Sequence, residues 1–92
     1  MSIIVKKYGG TSVSSITKIK NIAKKIQLDY KRGKKIVVVL SAMGDSTDQL
    51  VKLAEKVTNS PNPRDYDLLL STGEQVSTSL LSIALNELGL KA

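Results

Sequence analysis

The run Lys35 to Ser41 (KIVVVLS) constrains this chain most. Its apolar stretch, Ile36 to Leu40, is far too short to span a membrane. It reads instead as a strand covered on both faces, the pattern of a parallel sheet. A parallel partner stands upstream. Ser2 to Tyr8 (SIIVKKY) begins as a β-branched run and is broken by Gly9-Gly10. Between the two strands, Ile16, Ile19, Ile22, Ala23, Ile26 and Tyr30 recur at spacings of three and four, which predicts one helix face. Ser12, Ser14 and Ser15 are candidate N-caps and Gly33 a candidate stop. Strand, helix, strand over about 40 residues is a right-handed βαβ unit.

Downstream, Ala42 to Asp45 is a loop. Ser46 with Gln49 fits a capping box opening a helix with Leu50, Leu53, Ala54 and Val57 on one face. Asn59 to Pro63 is a second loop, and Pro63 suits the first turn of a short helix reaching Leu70. Thr72-Gly73 reads as an interruption. A last helix is expected from about Glu74 to Leu88, with Val76, Leu80, Leu81, Ala84, Leu85 and Leu88 inward. Gly89 then serves as its C′ residue and Leu90 as the hydrophobic partner. Two strands with about four helices leave unpaired sheet edges, which implies that more chain follows.

Composition excludes several chemistries. The 92 residues contain no cysteine and no histidine. Disulfides, thiolate metal sites and histidine-dependent nucleophiles are therefore absent, and no metal ligand set is expected. Met1 to Val5 lacks the pattern of a signal peptide, so a cytoplasmic location is expected, with no membrane partner. The net charge is +6, and one acid, Asp29, stands among the eight basic residues from Lys18 to Lys35. Such a stripe can contact nucleic acid. It has one aromatic, Tyr30, and no arginine cluster, so a solvated helix face is the better reading and no nucleic-acid partner is expected.

Three stretches carry candidate chemistry. In Lys6-Lys7-Tyr8-Gly9-Gly10-Thr11-Ser12 a strand ends in two glycines and a helix begins soon after. Glycines admit a ligand close to the backbone, and a helix start offers free N–H groups to an anion. The spacing is not that of a Walker A loop, and on pattern alone an ordinary strand-to-helix turn with Lys7 solvated is the better reading. Ser41 to Asp48 repeats the layout at the end of the second strand. In open α/β sheets, ligands bind beyond the carboxyl ends of the strands, so both loops belong to one edge. The plain alternative there is that Ser46 and Thr47 only cap a helix. Glu74 is expected at a helix start, where the dipole alone favours a carboxylate. It also suits a substrate ammonium group, and these physical arguments do not separate the two.

Together the stretches resemble the aspartokinases. Lys7-Tyr8-Gly9-Gly10-Thr11-Ser12-Val13 is similar to that family's N-terminal motif, lysine-aromatic-Gly-Gly-Thr-Ser-Val. Val38 to Gly44 with Thr47, Asp48 and Leu50 resembles its second segment, and Leu70 to Glu74 through Leu81, Ala84, Leu85 and Gly89 its third. The resemblance covers essentially the whole chain. It implies an α/β fold, a three-layer αβα sandwich with a mostly parallel sheet, of which residues 1–92 form an incomplete N-terminal portion. It implies phosphorylation of the L-aspartate β-carboxylate by ATP to 4-phospho-L-aspartate, the first step toward lysine, threonine and methionine. Another carboxylate or carbamate kinase of the same fold, or a non-catalytic anion-binding module, is the alternative. By position, the resemblance makes Lys7 catalytic, puts Lys7, Tyr8, Gly9, Gly10 and Ser41 on the ATP phosphates, and puts Thr47 and Glu74 on aspartate. Mg²⁺ would bridge the ATP phosphates. The adenine half of the site and the regulatory ACT domains would lie beyond residue 92, the complete protein would be a homo-oligomer, and these 92 residues alone would be inactive.

Overall fold

The β-branched run near the N-terminus and the apolar run before Ser41 pair as strands β1 (Ile3–Tyr8) and β2 (Lys35–Leu40). The computed structural model describes residues 2–92. The strands are parallel, in register from Ile3 opposite Lys35 to Tyr8 opposite Leu40. Helix α1 (Ile16–Lys31) makes the crossover. The Ser15 hydroxyl caps it, accepting from the Lys18 amide at 3.2 Å. At its other end Gly33 takes φ +82°, a conformation L side chains avoid. A four-residue 3₁₀ turn, Gly10–Val13, stands between the paired glycines and α1, so the glycines do not open α1 directly.

Helix α2 (Ser46–Val57) and helix α3 (Pro63–Glu87) follow. Asn62 caps α3 by accepting from the Arg64 amide at 3.0 Å, and Pro63 sits in its first turn. The expected break at Thr72-Gly73 does not occur. The 25 residues form one helix, about 37 Å long at ~1.5 Å per residue. It closes as expected: Gly89 has φ +87°, its amide reaches the Asn86 carbonyl, and the Leu90 amide reaches the Leu85 carbonyl.

The core lies between one sheet face and the pair α1 and α3. It gathers Val13, Ile19, Ile22, Ala23, Ile26, Leu40, Leu81 and Leu85, with Tyr8, Ile36 and Val38 packed against it. Ile16 and Tyr30, expected inward, are exposed at the ends of α1. Leu53, Val57 and Val76 are exposed too, because α2 packs on α3 rather than on the sheet. The other sheet face is bare: Ile3 is 67% exposed, Val5 66%, Val37 50% and Val39 45%. β2 is therefore covered on one face only. The α/β class with a parallel sheet is present, and of the three layers this chain supplies the sheet and the helices on one side of it.

Candidate functional site

Both strands end at the same edge, and their loops touch there. The Gly44 amide donates to the Gly10 carbonyl at 3.0 Å, and the Ser41 amide to the Tyr8 carbonyl at 3.0 Å. Gly10 is pressed against this second loop. A Cβ there would stand 3.1 Å from the carbonyl oxygens of Ala42 and Gly44, a contact that the second loop would have to yield slightly to admit. At Gly9 a Cβ would meet nothing within 4 Å. The backbone is open to an approaching group at Gly9 and closed at Gly10, so the two glycines serve different ends.

Strand alternation separates Lys7 from Tyr8. Lys7 is exposed on the bare face, following Ile3 and Val5, whereas Tyr8 packs into the core on the helix side. A group beside the Lys7 ammonium can thus meet Tyr8 only through its backbone. Ser41 is half-buried where β2 ends.

Asp45, not Ser46, occupies the N-cap position of α2, and the Gln49 side-chain Nε2 donates to the Asp45 carboxylate at 3.1 Å. The expected capping box of Ser46 with Gln49 does not form: the N-cap lies one residue earlier and its side chain accepts no backbone N–H. The half-buried hydroxyls of Ser46 and Thr47 make no hydrogen bond among the described residues, so capping does not account for them.

Glu74 stands in the middle of α3, three turns from its start, and is exposed. The helix-start explanation for this carboxylate therefore falls away. Its neighbours in sequence explain the local shape. Gly73, Ser77, Leu81 and Leu85 form a buried stripe at spacing four, small toward the loops and large toward the sheet. A Cβ on Gly73 would lie 2.8 Å from the Cβ of Ala42 and 3.6 Å from Leu50 Cδ1. The glycine is a point of close helix–loop approach, not a break. Ser77 is fully buried, and its hydroxyl donates to the Ser41 carbonyl at 2.7 Å.

The structure thus brings the Gly9-Gly10 turn, the Ser41–Gly44 loop and the middle of α3 into contact. Thr47 lines neither of the two grooves beside α3. Glu74 shares a shallow one with Ser71, Gln75, Thr78 and Ser79, while α2 and α3 frame another with Ser46, Leu50 and Thr72. An apolar groove lined by Tyr30, Val38, Leu40, Leu81 and Leu85 lies between β2, α1 and the C-terminal part of α3. No cluster of three metal-ligating side chains occurs among the described residues, and no described helix is long and apolar enough to cross a membrane.

Reading the residues alone missed Gly73 and Ser77 as packing positions. The signal that reveals them is the spacing-four stripe, which continues from Leu85 and Leu81 through two small residues.

Comparison with known proteins adds the following. Residues 2–92 match the model of the amino acid kinase family. The aspartokinase of Geobacillus stearothermophilus and aspartokinase 2 of Bacillus subtilis are each 52% identical over all 92 residues, which span 23% and 22% of those proteins. The aspartate kinase of Pseudomonas putida is 47% identical, again over 22% of its length. The crystal structure of aspartate kinase from Synechocystis superposes with a TM-score of 0.91 at 50% identity, over 96% of this chain and 15% of that one. The chain spans less than a quarter of the length of these relatives.

Proposed function

The chain belongs to the amino acid kinase family, and from that premise we propose that it supplies the N-terminal part of an aspartokinase catalytic domain. The observation that carries the proposal is the meeting of both strand-end loops and the middle of α3 at one sheet edge. The similarity to aspartokinases runs through all three of these segments. In this reading residues 1–92 are incomplete, and the adenine site and regulatory domains belong to chain that follows.

The chemistry suits the residues present. An aspartate β-carboxylate is ionised at neutral pH and is itself the nucleophile. Its oxygen bonds to the γ-phosphorus of ATP as the bond to the ADP oxygen breaks, so the site needs no histidine or cysteine. The chain contributes positioning and charge. Lys7 would neutralise the transferring phosphoryl group. The open backbone at Gly9 fits phosphate oxygens, with Gly10 and Ser41 holding the loops around them and Tyr8 contributing through its backbone. Thr47 would meet aspartate by its free hydroxyl and Glu74 by its exposed carboxylate, facing the ammonium group. Mg²⁺, which would offset phosphate charge, is better held by the phosphates than by this segment, which lacks a ligand cluster. A cytoplasmic, homo-oligomeric complete protein belongs to the same proposal.

The test uses the complete kinase: this chain continued by its own downstream sequence, or exchanged for the matching segment of the B. subtilis protein. Glu74→Gln should raise KM for aspartate about 10-fold or more, the scale of a lost charge-assisted contact, and leave KM for ATP nearly unchanged. Equal loss for both substrates would reject Glu74 as the ammonium partner.

A further inference from the structure

We infer that Ser77 is a positioning residue that sets the spacing between the two halves of this site. The inference rests on the reading above for which half is which, and on geometry for the rest. Ser77 is the one polar residue among the fully buried side chains described. A buried serine hydroxyl must find a partner, and its own helix offers only a carbonyl one turn back. Here the partner lies on another element. The hydroxyl donates across 36 positions of sequence to the Ser41 carbonyl at 2.7 Å, closer than the Glu74 carbonyl of its own helix at 3.2 Å.

That single bond ties two groups with opposite duties. Ser41 directly follows β2 and opens the loop that rests against Gly10. Glu74 lies one turn before Ser77 on α3. Gly73 makes the second point of the same attachment by admitting Ala42. Two contacts on one helix turn fix both the height and the rotation of α3 over the loop. Glu74 projects from that turn, so its position relative to the phosphate-side loop is set there. Loss of the tie should leave each substrate's own contacts in place and spoil their relative alignment. Small misplacements of this kind cost on the order of 10-fold to 10²-fold in rate.

The experiment compares Ser77→Ala with Leu85→Ala in the complete kinase. Leu85 belongs to the same buried stripe but lies two turns farther from the loop, so its truncation tests stability alone. For Ser77→Ala the expected result is a kcat lowered at least about 10-fold, with both KM values within about threefold, and more ATP hydrolysed per aspartyl phosphate formed. For Leu85→Ala, assayed well below its melting temperature, kcat and the coupling ratio should stay near wild type although Tm falls further. Ser77→Cys, which keeps a weak donor on a somewhat larger side chain, should lie between wild type and Ser77→Ala. Hydrogen exchange at the amides of residues 42–47 gives a readout independent of substrate. It should quicken in Ser77→Ala and not in Leu85→Ala. Unchanged exchange, or a kcat that merely follows Tm in both variants, overturns the inference. A complete wild-type kinase that phosphorylates no aspartate overturns the substrate assignment instead, and the exchange comparison still decides the role of Ser77.

Discussion

At the scale of single residues, exposure separates chemistry from packing. Lys7 is exposed on the bare sheet face and supports no core contact. Lys7→Ala in the complete kinase should therefore fold normally and lose about 10²–10³ in kcat, the usual effect of removing one preorganised charge from a developing anion. Circular dichroism and steady-state rates check both halves, and near-normal kcat in a folded variant would remove Lys7 from the mechanism. Gly73 behaves oppositely. Alanine is intrinsically the better helix residue by about 1 kcal/mol. Yet its Cβ would stand 2.8 Å from that of Ala42, and overpacking of this kind costs about 1–3 kcal/mol. Gly73→Ala should lower Tm, and adding Ala42→Gly should recover most of the loss. A rise in Tm for the single variant would show that the loop yields freely. Lys7, Gly9, Gly10 and Ser41 stood out in the sequence because they gather where strands end, whereas Thr47 and Glu74, which lie within α2 and α3, were singled out for aspartate only by the family resemblance. Ser77 did not stand out, because a serine in a helix looks the same whether it faces water or a carbonyl.

At the scale of elements, β1 and α1 are joined by Lys6 and Asp29. These two pair on the helix side of the sheet, each side chain about one-fifth to one-quarter exposed. An acid near the C-terminal end of a helix opposes its dipole, so Asp29 owes its place to the lysine. The Lys6 hydrogen bond holds the Asp29 carboxyl below its ordinary range, and Asp29 holds the Lys6 ammonium above its own. The signs follow from linkage. Stability from Asp29 is present above its unfolded pKa, near 4, and is lost as pH falls through the lower folded value. That from Lys6 is present below about 10.4 and is lost as pH rises through the higher folded value. Asp29→Asn should therefore lower Tm at pH 7 and reduce the drop in Tm on acidification to pH 3. A variant with the wild-type acid limb would show that other carboxylates control it. Element type and order were readable from periodicity. The false break in α3 arose because Thr-Gly signals a turn only when nothing else needs the glycine. Here Ala42, thirty residues earlier in the chain, supplies that need.

At the scale of the whole molecule, the radius of gyration is 15.5 Å, against about 12 Å for a compact domain of this length. The excess reflects a long α3 and a two-stranded sheet with one bare face. The apolar run of β2 reads as covered on both faces and one face is bare in this chain, because the pattern records what the strand is built for and not what is present beside it. The isolated 92-residue chain should self-associate in sedimentation experiments, and Val5→Lys with Val37→Lys should reduce that association. It should give no aspartyl hydroxamate in a hydroxylamine trap. Robust product, abolished by Lys7→Ala, would show that this segment suffices for turnover. The make-up of the core has a further consequence, in time. Six of its eight buried residues are complete by Leu40, but the two that close it, Leu81 and Leu85, come about forty residues later. At roughly 5–20 residues per second, the βαβ unit waits some 2–8 s on the ribosome with its inner sheet face covered by α1 alone. During that interval this segment is a natural client for a chaperone that shields apolar strands.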